Sequence, residues 1–237
     1  MSRLEAWGVE GIREIKPGDQ LGEVIAAACA VEPNGPLRDG DVLVVTQKVV
    51  SKAEGRMVEV DVTDPLSHKK LVEEEAVRVV RRRGDLIITE TKHGFVCANS
   101  GIDLSNVDAG WAALLPIDSD RSARRIRDIV KAKLGVDVGV IVSDTFGRPW
   151  RMGLTDVAIG VAGIAGVVDL RGTADDRGRI MQVTEVAVSD EIASAAELVM
   201  GKSSGIPVAV VRGVDATWLR DASVRELVRP PSEDLFR

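Results

Sequence analysis

A chain of mixed strands and helices is what the sequence predicts, from three observations. Short apolar runs rich in β-branched residues recur at residues 41–46, 138–143 and 208–212, and such runs read as buried strands. Stretches of helical character lie between them, at residues 21–31, 66–83, 120–134 and 190–200. Hydrophobic residues make up 45% of the 237, enough to enclose a sizeable core in one large domain or two small ones.

Taken in order, residues 8–20 read as a short strand that ends in the Pro17-Gly18 turn, and the alanine-rich 21–31 as a helix. Asn34-Gly35-Pro36 and Asp39-Gly40-Asp41 mark turns. The strand 41–46 runs into Gln47, Lys48, Ser51 and Lys52, a candidate anion site just past a strand end. Residues 66–83 read as one long amphipathic helix, capped by Ser67, with acidic residues before basic ones as the helix dipole prefers. Residues 84–90 and 93–98 read as a strand pair resembling a hairpin. The polar segment 99–108 then offers Asp103 and Asn106, and 120–134 is a basic helix ended by Gly135. The small residues of 155–169 suggest close backbone packing, and 171–179 an exposed turn. Residues 183–200 begin as a strand and become a helix. The loop 201–207, the strand 208–212 and a polar tail at 229–237 complete the chain.

Composition narrows the function. Aromatic residues are 3% with no Tyr, which argues against base stacking, and a net charge of −6 argues against non-specific nucleic-acid binding. Cys29 and Cys97 stand far apart without metal-ligand spacing, and His68 and His93 are the only histidines, so a zinc site or a His-based triad is not expected. The first residues lack a basic segment followed by an apolar run, and no apolar run reaches the length of a membrane span, so the expectation is a cytoplasmic protein without a membrane partner.

The chemistry concentrates where strands end. At Asp144-Thr145 the run 138–143 is expected to break into a loop, which then carries Arg148 and Arg151. Carboxylate and hydroxyl oxygens suit Mg²⁺ or Mn²⁺. Guanidinium forks suit phosphate and carboxylate. Asp103 with Asn106, Asp144 with Thr145, and Lys52 with Gln47 could together hold one or two divalent ions against a polyphosphate. Two nucleotide motifs fail on inspection. Gly201-Lys202-Ser203 lacks the earlier glycine of a P-loop, since Ala196 stands there. In Gly160-Val-Ala-Gly163-Ile-Ala-Gly166 the first gap is one residue too long for a dinucleotide turn, so packing glycines are the better reading.

Four segments resemble the coenzyme F420-0:L-glutamate ligase family: Val44 to Gly55, Gly101 to Asn106, Ser143-Asp-Thr-Phe-Gly-Arg-Pro-Trp-Arg-Met-Gly153 and Thr184 to Ala193. The similarity spans nearly the whole chain in family order. The resemblance implies an α+β fold of mixed sheets with packed helices, in one domain, 1–237, or in two intertwined subdomains, and a homodimer. It implies a GTP-dependent ligase that adds L-glutamate to the tail of coenzyme F420-0, with further γ-linked additions within its range. By motif match, Asp103, Asp144 and Thr145 would bind Mg²⁺ or Mn²⁺, with K⁺ a further candidate ion. Ile12, Arg13, Glu14, Ile15, Gln47, Lys52, Asn106 and the loop Met200, Gly201, Lys202, Ser203, Ser204, Gly205, Ile206 and Pro207 would contact GTP. Arg148 and Arg151 are the candidates for the phosphate or carboxylates of the coenzyme tail, and no residue is an obvious general base. Two rivals stand beside this reading: a non-catalytic GTP- or deazaflavin-binding module, and a nicotinamide oxidoreductase using residues 160–166.

Overall fold

A computed structural model describes residues 3–64 and 66–235. The elements in chain order are β1 (Glu5–Gly8), α1 (Leu21–Cys29), β2 (Val42–Thr46), α2 (Gln47–Ala53), β3 (Met57–Glu59), α3 (Lys69–Glu75), β4 (Ala76–Arg83), β5 (Leu86–Thr91) and β6 (Val96–Ala98). They continue with β7 (Trp111–Ala113), α4 (Ser119–Leu134), β8 (Gly139–Gly147), β9 (Leu154–Ala162), β10 (Val168–Asp169), β11 (Glu185–Val186), α5 (Val188–Met200) and β12 (Val208–Arg212). Helices and strands pack together in an α+β arrangement.

A five-stranded sheet in the order β1-β12-β2-β8-β9 forms the centre. It is mixed: β2 and β8 run parallel and the other pairs antiparallel. The central strands are continuous apolar runs because both faces are covered. Leu43, Val45, Val140, Val142, Val208 and Val210 join a core with α1 and α4 on one face. Val42, Val44, Ile141, Ala209 and Val211 alternate to the other face and meet Ile192, Ala193, Ala196 and Met200 of α5. Smaller sheets, β4-β5-β6, β3-β7 and β10-β11, lie outside this frame. Cys29 and Cys97 are buried free thiols, pushed up to about 11 and about 12 by removal from water. Among the described residues no helix is long and apolar enough to cross a membrane.

α4 starts on Asp118, whose side chain accepts from the Arg121 amide, and stops on left-handed Gly135. Its first turn presses on β9. A Cβ on Gly160 would lie 2.4 Å from the Ser119 carbonyl carbon, so the glycines there permit contact between helix and strand. Residues 160–162 complete strand β9 and no helix follows directly, so the stretch has no dinucleotide-turn architecture.

Several expectations change. The helix expected over 66–83 is α3 alone, and Ala76–Arg83 is strand β4, paired antiparallel with β5 from Ala76↔Thr91 to Arg83↔Leu86. Val77, Val79 and Val80 favour a pleated strand, and ion pairs from Arg78 to Glu90 and from Arg82 to Glu73 tie it down. Gly84 (φ +57°) makes the tight turn between β4 and β5. The strand expected within 8–20 lies earlier, at Glu5–Gly8, and the chain then runs irregularly to the Pro17-Gly18 turn. The expected break at Asp144 does not occur. β8 continues to Gly147 because β9 pairs with its outer half, setting Asp144 opposite Val157 and Thr145 opposite Asp156, past an irregularity at Val142–Ser143. The polar tail contains a short 3₁₀ turn at Pro231–Glu233, and its last two residues, with the first two of the chain, lie outside the described residues.

Candidate functional site

The outer half of β8 and the facing part of β9 form the floor of the site. Their pairing brings two hydroxyls onto the carboxylate of Asp156: Ser143 Oγ donates to Oδ2 at 2.9 Å and Thr145 Oγ1 to Oδ1 at 2.6 Å. Asp156 is 2% exposed. The Lys202 ammonium, carried by the loop after α5, reaches Thr145 Oγ1 at 2.6 Å, Asp156 Oδ1 at 2.8 Å and Glu197 Oε1 at 2.5 Å. The other oxygen of Glu197 accepts from the Asp156 amide at 2.9 Å. Burial works against the Lys202 charge, but the hydrogen bonds to the two carboxylates outweigh it and hold the ammonium above its ordinary value.

A second segment closes on this floor. Asp103 is fixed by backbone bonds to Ala113. One carboxylate oxygen meets Lys48 Nζ at 2.9 Å, and the other accepts from the Ser105 amide at 2.6 Å. Burial alone would raise the Asp103 carboxyl, but Lys48 and Ser105 bring it below the ordinary value. Asn106 adopts a left-handed φ of +50°, and its Nδ2 donates to the Lys202 carbonyl at 3.2 Å. The loops around 103–106 and 201–205 are therefore in contact, although 96 residues separate the bonded pair.

Asp144 feels both segments. Removal from water pushes its carboxyl up to about 7. A bond from the Thr145 amide opposes this, the neighbouring charges of Asp103 and Asp156 add to it, and Lys48 offsets part. A carboxylate short of counter-charge near Asp103 has the oxygen chemistry of a hard divalent ion, while the Thr145 side chain alternates to the other face of β8, with Ser143 and Asp156. Among the described residues no three acidic, His or Cys side chains are grouped to enclose a metal. An ion on Asp103 and Asp144 would therefore complete its shell with hydroxyl, water or phosphate oxygens, as Mg²⁺ does.

The remaining expected residues fall in different places. Lys52 on α2 is paired with Glu14 at 2.5 Å, and Arg13 with Asp19 at 2.6 Å. Ile15 is buried and Ile12 packs against the core. Gln47 is 2% exposed, and its amide donates to Ser51 Oγ at 2.6 Å and to the Leu114 carbonyl at 2.9 Å, turning it inward. Met200 is buried at the end of α5, where its carbonyl accepts from the Ser204 hydroxyl. Gly201 and Gly205 take left-handed φ values, Ser203 is exposed, Ile206 packs beside Gly8, and the Pro207 carbonyl accepts from the Thr46 amide at 3.0 Å. Arg148 and Arg151 lie on the exposed β8–β9 hairpin loop, where Arg148 donates to the Met152 carbonyl. Sequence reasoning missed Asp156 and Glu197, and read Lys48 as part of an anion site rather than as the partner of Asp103. A signal existed for Asp156, a lone carboxylate directly before the apolar run 157–162 and just across the hairpin from Thr145.

The chain as a whole is similar to a known family. The profile described as F420-0:Gamma-glutamyl ligase matches residues 11–213. The coenzyme F420:L-glutamate ligase of Methanopyrus kandleri is 42% identical, over 95% of this chain and 94% of that protein. The proteins of the same name from Methanothermobacter thermautotrophicus and Methanocaldococcus jannaschii are 42% and 40% identical, covering 97% and 99% of this chain and 97% of each relative. With the acidic floor, the fixed lysines and this full-length similarity together, the chain is a ligase and belongs to the F420-0:gamma-glutamyl ligase family.

Proposed function

We propose that the protein joins L-glutamate to the tail of coenzyme F420-0 at the expense of GTP, through an acyl phosphate. The observation that carries this reading is the approach of Asp103, from a distant segment and paired with Lys48, to the buried Asp144, in a member of this family. A carboxylate is too poor an electrophile to form an amide directly near neutral pH. In the proposed reaction an oxygen of the terminal carboxylate attacks the γ-phosphorus of GTP and GDP departs. The glutamate amine then attacks the acyl carbon, the C–O bond to phosphate breaks, and the amine sheds its surplus protons to solvent as the amide forms. Repetition on the added glutamate gives further γ-linked units.

A bound Mg²⁺ or Mn²⁺ would draw charge off the nucleotide's phosphates, with K⁺ as an accessory ion. The chain's part is mainly positioning. Asp103, Asp144 and Thr145 would hold the ion. Asn106, the loop 200–207, the segment 12–15 and α2, with Gln47 bracing it from inside, border the nucleotide. Lys52, released from Glu14, faces the transferring phosphoryl group, and Arg148 and Arg151 take the anionic tail. We read the protein as a cytoplasmic homodimer. Val77, Val79 and Val80 on edge strand β4, at 66%, 38% and 40% exposure, support an interface there.

The test is mass spectrometry of the coenzyme after incubation with F420-0, L-glutamate, GTP and Mn²⁺, with phosphate release followed in parallel. Glutamate-sized increments that vanish without GTP are the expected result. Bound nucleotide with intact coenzyme and no phosphate release would leave the binding-module reading in its place.

A further inference from the structure

We propose that Lys202 is a built-in cation: its ammonium takes the place among Thr145, Asp156 and Glu197 that a second metal ion would otherwise fill, so the cluster accepts one divalent ion and not two. The part of this that places the one ion at Asp103 and Asp144 rests on the reading above. The part that concerns Lys202 stands on geometry alone.

An ammonium has three N–H donors and no acceptor. The Lys202 ammonium has three oxygen partners, Thr145 Oγ1 at 2.6 Å, Asp156 Oδ1 at 2.8 Å and Glu197 Oε1 at 2.5 Å. All three donors are therefore committed to the protein, and the group can turn to a phosphate only by abandoning one of these oxygens. Its role is to neutralise the floor, which makes it a positioning residue. Two carboxylates, Asp156 and Glu197, share the Lys202 ammonium, while Asp103 has an ammonium of its own in Lys48. The three oxygens around Lys202 are two carboxylates and a hydroxyl, the hard donors that Mg²⁺ and Mn²⁺ also select. Asp156 is 2% exposed, so loss of its ammonium leaves a buried charge that only another cation or a proton can compensate. The Lys202 carbonyl meanwhile accepts from Asn106, so the same residue fastens the 103–106 loop to the floor.

The experiment is a Mn²⁺ titration of the full chain without nucleotide, with free Mn²⁺ read by electron paramagnetic resonance, at about pH 8, where carboxylates with ordinary values are ionised. Wild type is expected to bind one ion. Lys202→Met, which removes the charge at similar length, is expected to gain one site. Lys202→Arg, which keeps the charge, is expected to match wild type. Two ions in wild type, or no gained site in a Lys202→Met protein with native circular dichroism, would overturn the proposal. If Lys202→Met does not fold, Lys202→Ala replaces it and the wild-type count still decides. No ion in wild type with one gained in the variant would remove the Asp103–Asp144 ion and keep the role of Lys202. No ion in either would remove both.

Discussion

Asp144 is the residue at which stability and function pull apart. Its carboxyl is raised from 3.8 to about 7 in the folded chain, so between these values the folded state holds a proton that the unfolded state has lost. Stability of the metal-free protein therefore falls as pH rises from about 4 to about 7, by up to about 4 kcal/mol. Asp144→Asn is expected to remove that slope. The metal-free variant melts above wild type at about pH 8, the two converge near pH 4, and thermal scans in chelator check it. The same substitution is expected to lower Mn²⁺ affinity by at least about 10-fold, a magnitude typical of weakened metal sites. Gln47 teaches the opposite lesson. It was legible as a polar group beyond a strand end, yet it is 2% exposed and clamps the Leu114 carbonyl. Gln47→Leu should cost about 1–3 kcal/mol in denaturant melts through the lost bond, whatever it does to nucleotide binding. Side-chain direction at a helix start is set by contacts 67 residues away, which no local pattern records.

At the scale of elements, what was legible depended on how far each segment's partners lie along the chain. Strands β2, β8 and β12 announce themselves because burial on both faces demands uninterrupted apolar runs. α4 was readable from its length, its basic face and the glycine at its end. β4 was not, because its valines and arginines satisfy a helical pattern equally well, and only the ladder to β5 settles the choice. The outer half of β8 was misread for a related reason: its polar residues look like a loop until Asp156 and its neighbours on β9 pair with them. The small residues of β9 were correctly legible as packing. At Gly160 an added Cβ would meet backbone and side chain of Ser119 at 2.4–2.5 Å, so Gly160→Ala must push α4 off the sheet. We expect it to cost about 1–3 kcal/mol or more, the range of overpacked sites. Gly135→Ala, at a left-handed helix end with nothing within 4 Å, should cost only about 1 kcal/mol from backbone strain. Urea midpoints of the two variants, measured side by side, separate crowding from conformational strain.

Over the whole molecule, the central sheet is covered on both faces by helices, and the exposed apolar surface collects elsewhere. β4 is the edge of its own three-stranded sheet, and of its eight residues Ala76 is half-buried while the other seven are exposed. An edge strand of this length offers unpaired backbone groups as well as valine side chains, and proteins rarely leave such an edge without charge, cover or a partner. Its arginines supply some charge, but Arg78 and Arg82 are occupied with Glu90 and Glu73 on the same unit. Cover by a second copy would bury the valines and satisfy the edge together. The expected result by light scattering is a dimer for wild type and a monomer for Val77→Lys/Val79→Lys, which sets like charges on the edge and removes its apolar contact. The central core lies in other residues, so the double variant should keep its helical circular dichroism and bind Mn²⁺ with wild-type stoichiometry. A dimer that survives the double substitution would move the interface off β4. A monomeric wild type would mean that the valines are exposed in solution as well, and that the acidic floor is complete within one chain.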